Sequence, residues 1–177
     1  MLFNKLTFYS LLAAFAASPA VCLADAEEAV AKMDMFASSL REATHALTTY
    51  GDGETTGYSV AKTFDTAQRA GKNANQMLKE AGPLSEPDAH RVVDAYNQLQ
   101  PEGLRLLKTV SDKAPSMRGR LGVGYIARGI VGGFRADQKD LHDILRKNLP
   151  EEQRETLSPN MATVDSAFED TMKAMDS

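Results

Sequence analysis

The chain has 177 residues, one cysteine, no tryptophan and a net charge of −4, with 24 acidic against 20 basic side chains. That balance excludes general nucleic-acid binding, where a strong basic excess supplies most of the affinity, and a single cysteine excludes a disulfide scaffold. One domain is expected, long enough to bury about two thirds of its unfolded surface. The first segment reads as an export signal. Lys5 gives a short positive start, Leu6 to Ala17 is an uncharged, largely apolar run, and small residues follow. Cys22 and Ala24 fit the two small-residue positions of a signal-peptidase site, so cleavage is expected after Ala24, with cleavage after Ala20 as the alternative. The run is too short to span a bilayer comfortably, and Val21 is too bulky before Cys22 for a lipoprotein. The chain then divides into a signal peptide, residues 1–24, and a mature domain, residues 25–177, which has no cysteine and must rely on a packed core. No glycosylation sequon, Ser/Thr-rich stalk or apolar C-terminal tail is present, so a free, soluble product is expected.

Beyond the signal, strand patterns are nearly absent and apolar residues recur at three- and four-residue spacing. The first helix, about Ala26 to Tyr50, carries Val30, Met33, Phe36, Ala37, Leu40, Leu47 and Tyr50 on one stripe and ends at Gly51-Asp52-Gly53. The second, about Tyr58 to Ala81, presents Ala61, Phe64, Ala67, Gly71, Ala74 and Leu78 and ends at Gly82-Pro83. Ser85 and Asp88 have capping-box spacing and open the third. Val92, Val93, Tyr96 and Leu99 form its face; Pro101 should kink or restart it, and Ala114-Pro115 should end it. The fourth, about Gly122 to Leu149, buries Val123, Ile126, Ile130, Phe134, Leu141, Ile144 and Leu145. Its first half holds five glycines, each worth about 1 kcal/mol against an isolated helix. The last carries Leu157, Met161, Val164, Phe168, Met172 and Met175, with Pro159 suited to a first turn. Short polar linkers make this an all-α fold, a single antiparallel bundle of about five amphipathic helices.

The residues that could carry chemistry do not converge. His45, His90 and His142 lack metal-ligand partners at helical spacing, and are read as surface or half-buried. Gly57-Tyr58-Ser59-Val60-Ala61 lacks the strand and second glycine of a nucleophile elbow, so Ser59 belongs at or near a helix N-cap. Glu27-Glu28 and Glu151-Glu152 offset helix dipoles. No catalytic residue, metal site or cofactor is expected. Arg128, Arg135, Lys139 and Arg146 align within roughly 20° on the fourth helix, opposite its apolar side, and mark a solvent face. Gly129 and Gly133 have two readings: close approach of a neighbouring helix, or room for a slender apolar guest. Met33, Met77, Met161, Met172 and Met175 add adaptable apolar surface.

Taken in order, the motifs resemble the fungal hydrophobic surface binding protein A family, which includes cell-wall galactomannoproteins. The first helix closes on Leu47-Thr48-Thr49-Tyr50-Gly51-Asp52-Gly53, and the third opens with Leu84-Ser85-Glu86-Pro87-Asp88-Ala89. Leu99-Gln100-Pro101, Leu106-Leu107, Lys113-Ala114-Pro115, Leu121-Gly122-Val123-Gly124 and Asp165-Ser166-Ala167-Phe168 follow. Each motif is weak alone; their order carries the resemblance, which spans essentially the whole mature domain. It implies a secreted, non-enzymatic helical bundle that adheres to hydrophobic surfaces or binds fatty acids and similar lipids. Family members tied to the cell wall often carry a Ser/Thr-rich extension that this chain lacks. The expected ligand lining is Phe36, Leu40, Phe64, Leu78, Val93, Tyr96, Ile126, Ile130, Phe134, Leu145, Phe168 and Met172. The alternative is a secreted effector or antigen acting through a protein partner, for example by recruiting a secreted hydrolase.

Overall fold

The computed structural model describes residues 20–50, 55–118 and 123–176. Five helices account for nearly all of them: α1 (Ala20–Thr48), α2 (Gly57–Ala81), α3 (Glu86–Arg118), α4 (Val123–Asn148) and α5 (Glu151–Asp176). Most of the export signal lies outside the described residues, as does the Gly51-Asp52-Gly53 turn. Tyr50 and Thr55 form an isolated bridge. From Ala26 onward α1 buries Ala29, Met33, Phe36, Leu40, Ala43 and Leu47, the spacing that a single helix stripe requires.

The third helix neither restarts at Pro101 nor ends at Ala114-Pro115, and Pro159 is not in a first turn. Pro101 and Pro115 lie inside α3, which runs on to Arg118, and Pro159 lies inside α5, which starts at Glu151. A proline in a helix interior costs about 3 kcal/mol. Here the apolar face continues on both sides of Pro101: Val92, Tyr96 and Leu99 before it, and Leu106, Leu107 and Val110 after it, are all buried. At about 1.5–3 kcal/mol per buried apolar side chain, that face outweighs the proline.

The helices pack in a ring. α1 touches α2 and α3, α3 touches α5, α5 touches α4, and α4 returns to α2, with a smaller α3–α4 contact across the middle. The α3–α4 contact draws the ring inward, and elsewhere side chains must fill the space that the helices enclose.

One end of the ring is closed by polar bonds. Leu84 N donates to Asn148 O (2.8 Å), the buried Asn148 amide donates to Leu78 O (2.6 Å), and Asn75 donates to Asp137 O (2.8 Å). These tie the end of α2 and the segment after it to α4, and the first two satisfy last-turn carbonyls of α4 and α2. Ser85 donates to the Asp88 carboxylate (2.6 Å), which also pairs with Arg91 and is only 1% exposed. The two residues expected to form a capping box thus bond side chain to side chain. Thr56 caps α2 instead, accepting from Ser59 N at 3.2 Å, with Ser59 one turn inside the helix start.

Candidate functional site

At the other end, the C-termini of α1 and α3 meet the N-termini of α2 and α4. The side chains there do not fill the axis. An apolar cavity of about 230 Å³, partly open to solvent, lies between Leu47 and Tyr50 from α1 and its turn, Val60, Ala61 and Phe64 on α2, Val110 on α3, and Ala127, Ile130 and Val131 on α4. Small residues make the space: Gly57 sits opposite the Tyr50 ring, where a Cβ would stand 3.8 Å from the ring and its hydroxyl, and Ala61 and Ala127 add little volume. Below it lies a second chamber of about 30 Å³, reaching towards α5. Phe64, Val110 and Val131 belong to both walls. Phe64 packs edge-on against Phe134, with ring centroids 6.0 Å apart and planes at 72°.

Of the residues expected to line a ligand, Phe64 and Ile130 face the outer chamber, and Phe36, Leu40, Phe64, Phe134 and Phe168 face the inner one. Leu78, Val93 and Leu145 are buried in the general core, and Met172 packs against it. The Ile126 side chain lies outside the described residues. Tyr96 is buried in a polar cluster. The sequence pattern did not single out Gly57, Ala61, Val110, Ala127 or Val131 as lining. They belong to apolar faces near helix ends, and no periodic signal distinguishes a half-filled end from a filled middle.

Gly129, Gly132 and Gly133 of α4 do not line the cavity. Gly129 is exposed, with open space where its Cβ would be. A Cβ on Gly133 would come within 2.5 Å of the Gln68 amide nitrogen, the free end of a side chain on α2, and meets no backbone of that helix within 3.9 Å. Gln68 in turn bonds to Asp137. Burial holds the Asp137 carboxyl above its ordinary range, and Gln68 and Lys72 partly offset that rise.

His142 corrects the surface reading of the histidines: it is 1% exposed, whereas His45 and His90 are exposed. Its Nε2 lies 2.8 Å from the Tyr96 hydroxyl and 2.7 Å from the Gln138 amide, and its Nδ1 lies 3.3 Å from Asp165. Two donors converging on Nε2 make it an acceptor, so Nδ1 carries the proton and donates to Asp165. Burial pushes the imidazole below its ordinary value, against the opposing pull of Asp165, and pushes the Tyr96 phenol well above its own. The cluster is a neutral, satisfied tie among α3, α4 and α5. Among the described residues no group of His, Cys, Asp or Glu could hold a metal ion. No described helix is long and apolar enough to cross a membrane.

A ring of helices enclosing an apolar, partly open cavity defines a helical binding protein. The model of the family described as hydrophobic surface binding protein A matches residues 26–147, and the chain belongs to that family. A comparison with curated proteins gives no match. Among solved structures the chain is similar to Afmp4p in complex with palmitic acid, at 15% identity and a TM-score of 0.78, over 85% of this chain and 99% of that one. It is also similar to ligand binding domain 1 of the Penicillium marneffei MP1 protein, complexed with arachidonic acids (14% identity, TM-score 0.72, 81% and 93% covered). Ligand binding domain 2 of the same protein, complexed with multiple arachidonic acids, gives 12% identity, a TM-score of 0.73 and coverage of 86% and 95%. At such identities the likeness shows a shared fold.

Proposed function

We propose that the protein binds fatty acids or similar single-chain lipids in the apolar cavity, lays the same end on hydrophobic surfaces, and catalyses no reaction. The observation that carries this reading is the cavity itself, about 230 Å³ and walled almost wholly by apolar side chains. An apolar cavity of about 150 Å³ stays dry and accepts benzene. On that scale this one takes about nine carbons, worth ~7 kcal/mol of burial at ~0.8 kcal/mol each before association costs are subtracted. Fold neighbours holding palmitic and arachidonic acids support the same class of ligand. The signal-like residues 1–24 and the family support an extracellular setting, with the domain 25–177 acting at or near a cell wall. The alternative, recruitment of a secreted hydrolase by a charged face, draws little from α4: Arg128 pairs with Asp176, Arg135 with Glu169 and Arg146 with Asp143.

Displacement of a fluorescent fatty acid, with native mass spectrometry of the exported protein, tests the proposal. Ala61→Trp would place an indole at the mouth, where Ala61 is exposed. It should weaken displacement at least tenfold while leaving the melting temperature nearly unchanged. A parent protein that carries no apolar molecule and displaces no probe would refute cavity binding.

A further inference from the structure

The outer chamber is short for the ligand class proposed above. At about nine carbons by the benzene comparison, it would leave the rest of a palmitate-length chain in water. The inner chamber points the other way, into the bundle between α1, α3, α4 and α5, and is separated from the outer one by the walls that Phe64, Val110 and Val131 share. As it stands, its roughly 30 Å³ has room for about one carbon. Two features make it a place that can be entered. Phe64 is the one aromatic ring in the shared wall, edge-on to Phe134 at 6.0 Å, so its rotamer decides whether the chambers join. Gly103 lies in the interior of α3, where glycine is unfavourable by about 1 kcal/mol relative to Ala, and it lines the inner chamber. A Cβ built there meets nothing within 4 Å. No turn, left-handed backbone or close crossing requires glycine at this half-buried position.

We infer that the inner chamber receives the tail of the bound lipid, with Phe64 as the partition the tail must displace and Gly103 as the residue that keeps its seat open, so that these two residues set the preferred chain length. The inference rests on cavity binding as proposed above. The ligand class it names is a long, unbranched acyl chain whose terminal carbons pass Phe64 while its polar end stays at the mouth beside Tyr50.

Affinities for decanoic, palmitic and arachidonic acids, measured by displacement on the exported protein and on Gly103→Leu and Phe64→Leu, test this directly. Gly103→Leu fills the inner chamber and leaves the outer walls untouched. Palmitic and arachidonic acids should bind about tenfold more weakly, decanoic acid should be unchanged within about twofold, and the ligand-free protein should melt no lower. Phe64→Leu thins the partition without emptying it, and should raise the preference for palmitic over decanoic acid several-fold. Melting curves identify any variant that fails to fold, and either variant alone suffices to read the effect. Decanoic acid binding with an unchanged chain-length profile in both variants overturns this inference and leaves cavity binding standing. A parent protein that binds none of the three acids overturns both.

Discussion

His142 is the side chain whose charge state matters most to this fold. It is buried as a neutral imidazole, accepting from Tyr96 and Gln138 and donating to Asp165. Its folded value lies below the ordinary one, chiefly through burial, with Asp165 and Asp143 pulling up and Arg146 pushing down. The unfolded chain therefore binds the proton more readily, and stability falls as the solution becomes more acidic. The stabilising contribution is full above the unfolded value of about 6.5 and is lost progressively as pH drops towards the folded value. Asp137 works with the opposite sign, since burial raises its carboxyl, and so opposes the fall due to His142. Melting temperatures of the parent should fall between pH 8 and pH 5.5, and His142→Gln should flatten that dependence while melting lower at pH 8. Parallel slopes for the two proteins would remove His142 as the source.

At the scale of the element, α4 shows how one residue type in one helix serves different ends. Gly129 is exposed with open space at its Cβ, whereas Gly133 lets the Gln68 amide approach close enough to reach Asp137. Gly129→Ala should therefore gain up to about 1 kcal/mol from helix propensity alone. Gly133→Leu should push the Gln68 amide aside and break its bond to Asp137, costing roughly 0.5–1.5 kcal/mol. Thermal unfolding of both variants checks the pair; stabilisation by leucine at 133 would mean that the Gln68–Asp137 bond contributes nothing. Neither change should alter lipid binding, because neither glycine lines the cavity. In α3, the sequence carried both the face and its interruptions, and the helix runs on through Pro101, expected to kink or restart it, and through Pro115, expected to end it. Local chemistry marks a proline as a break, but only burial on both flanks decides that the helix continues through it.

For the whole molecule, closure of the ring matters more than any one helix. Four helices bury their stripes against one another readily; a fifth in the ring leaves an axis to be filled, and this chain fills it at one end with Asn75, Asn148 and leucines and leaves it open at the other. The described core begins at Ala26. A chain starting at Asp25, the expected product of cleavage after Ala24, therefore keeps every described core residue and should melt within about 3 °C of a longer form. A larger drop would show that residues before Asp25 contribute to the folded domain. N-terminal sequencing of the exported protein gives the cleavage point itself.

The sequence by itself determined the helices, their number and their apolar stripes, because a 3.6-residue period is a local property and recurs over several turns in each element. The motif order determined the family as well, although each motif alone is slight. Tertiary structure decided which apolar residues touch one another and which border empty space: Phe64 and Leu78 occupy the same stripe of α2, yet one walls the cavity and the other is packed core. It also buried His142 beyond what its polar character suggests. Volume left between helices is the difference between the space a ring encloses and the side chains that reach into it, and no single helix contains that difference in its sequence.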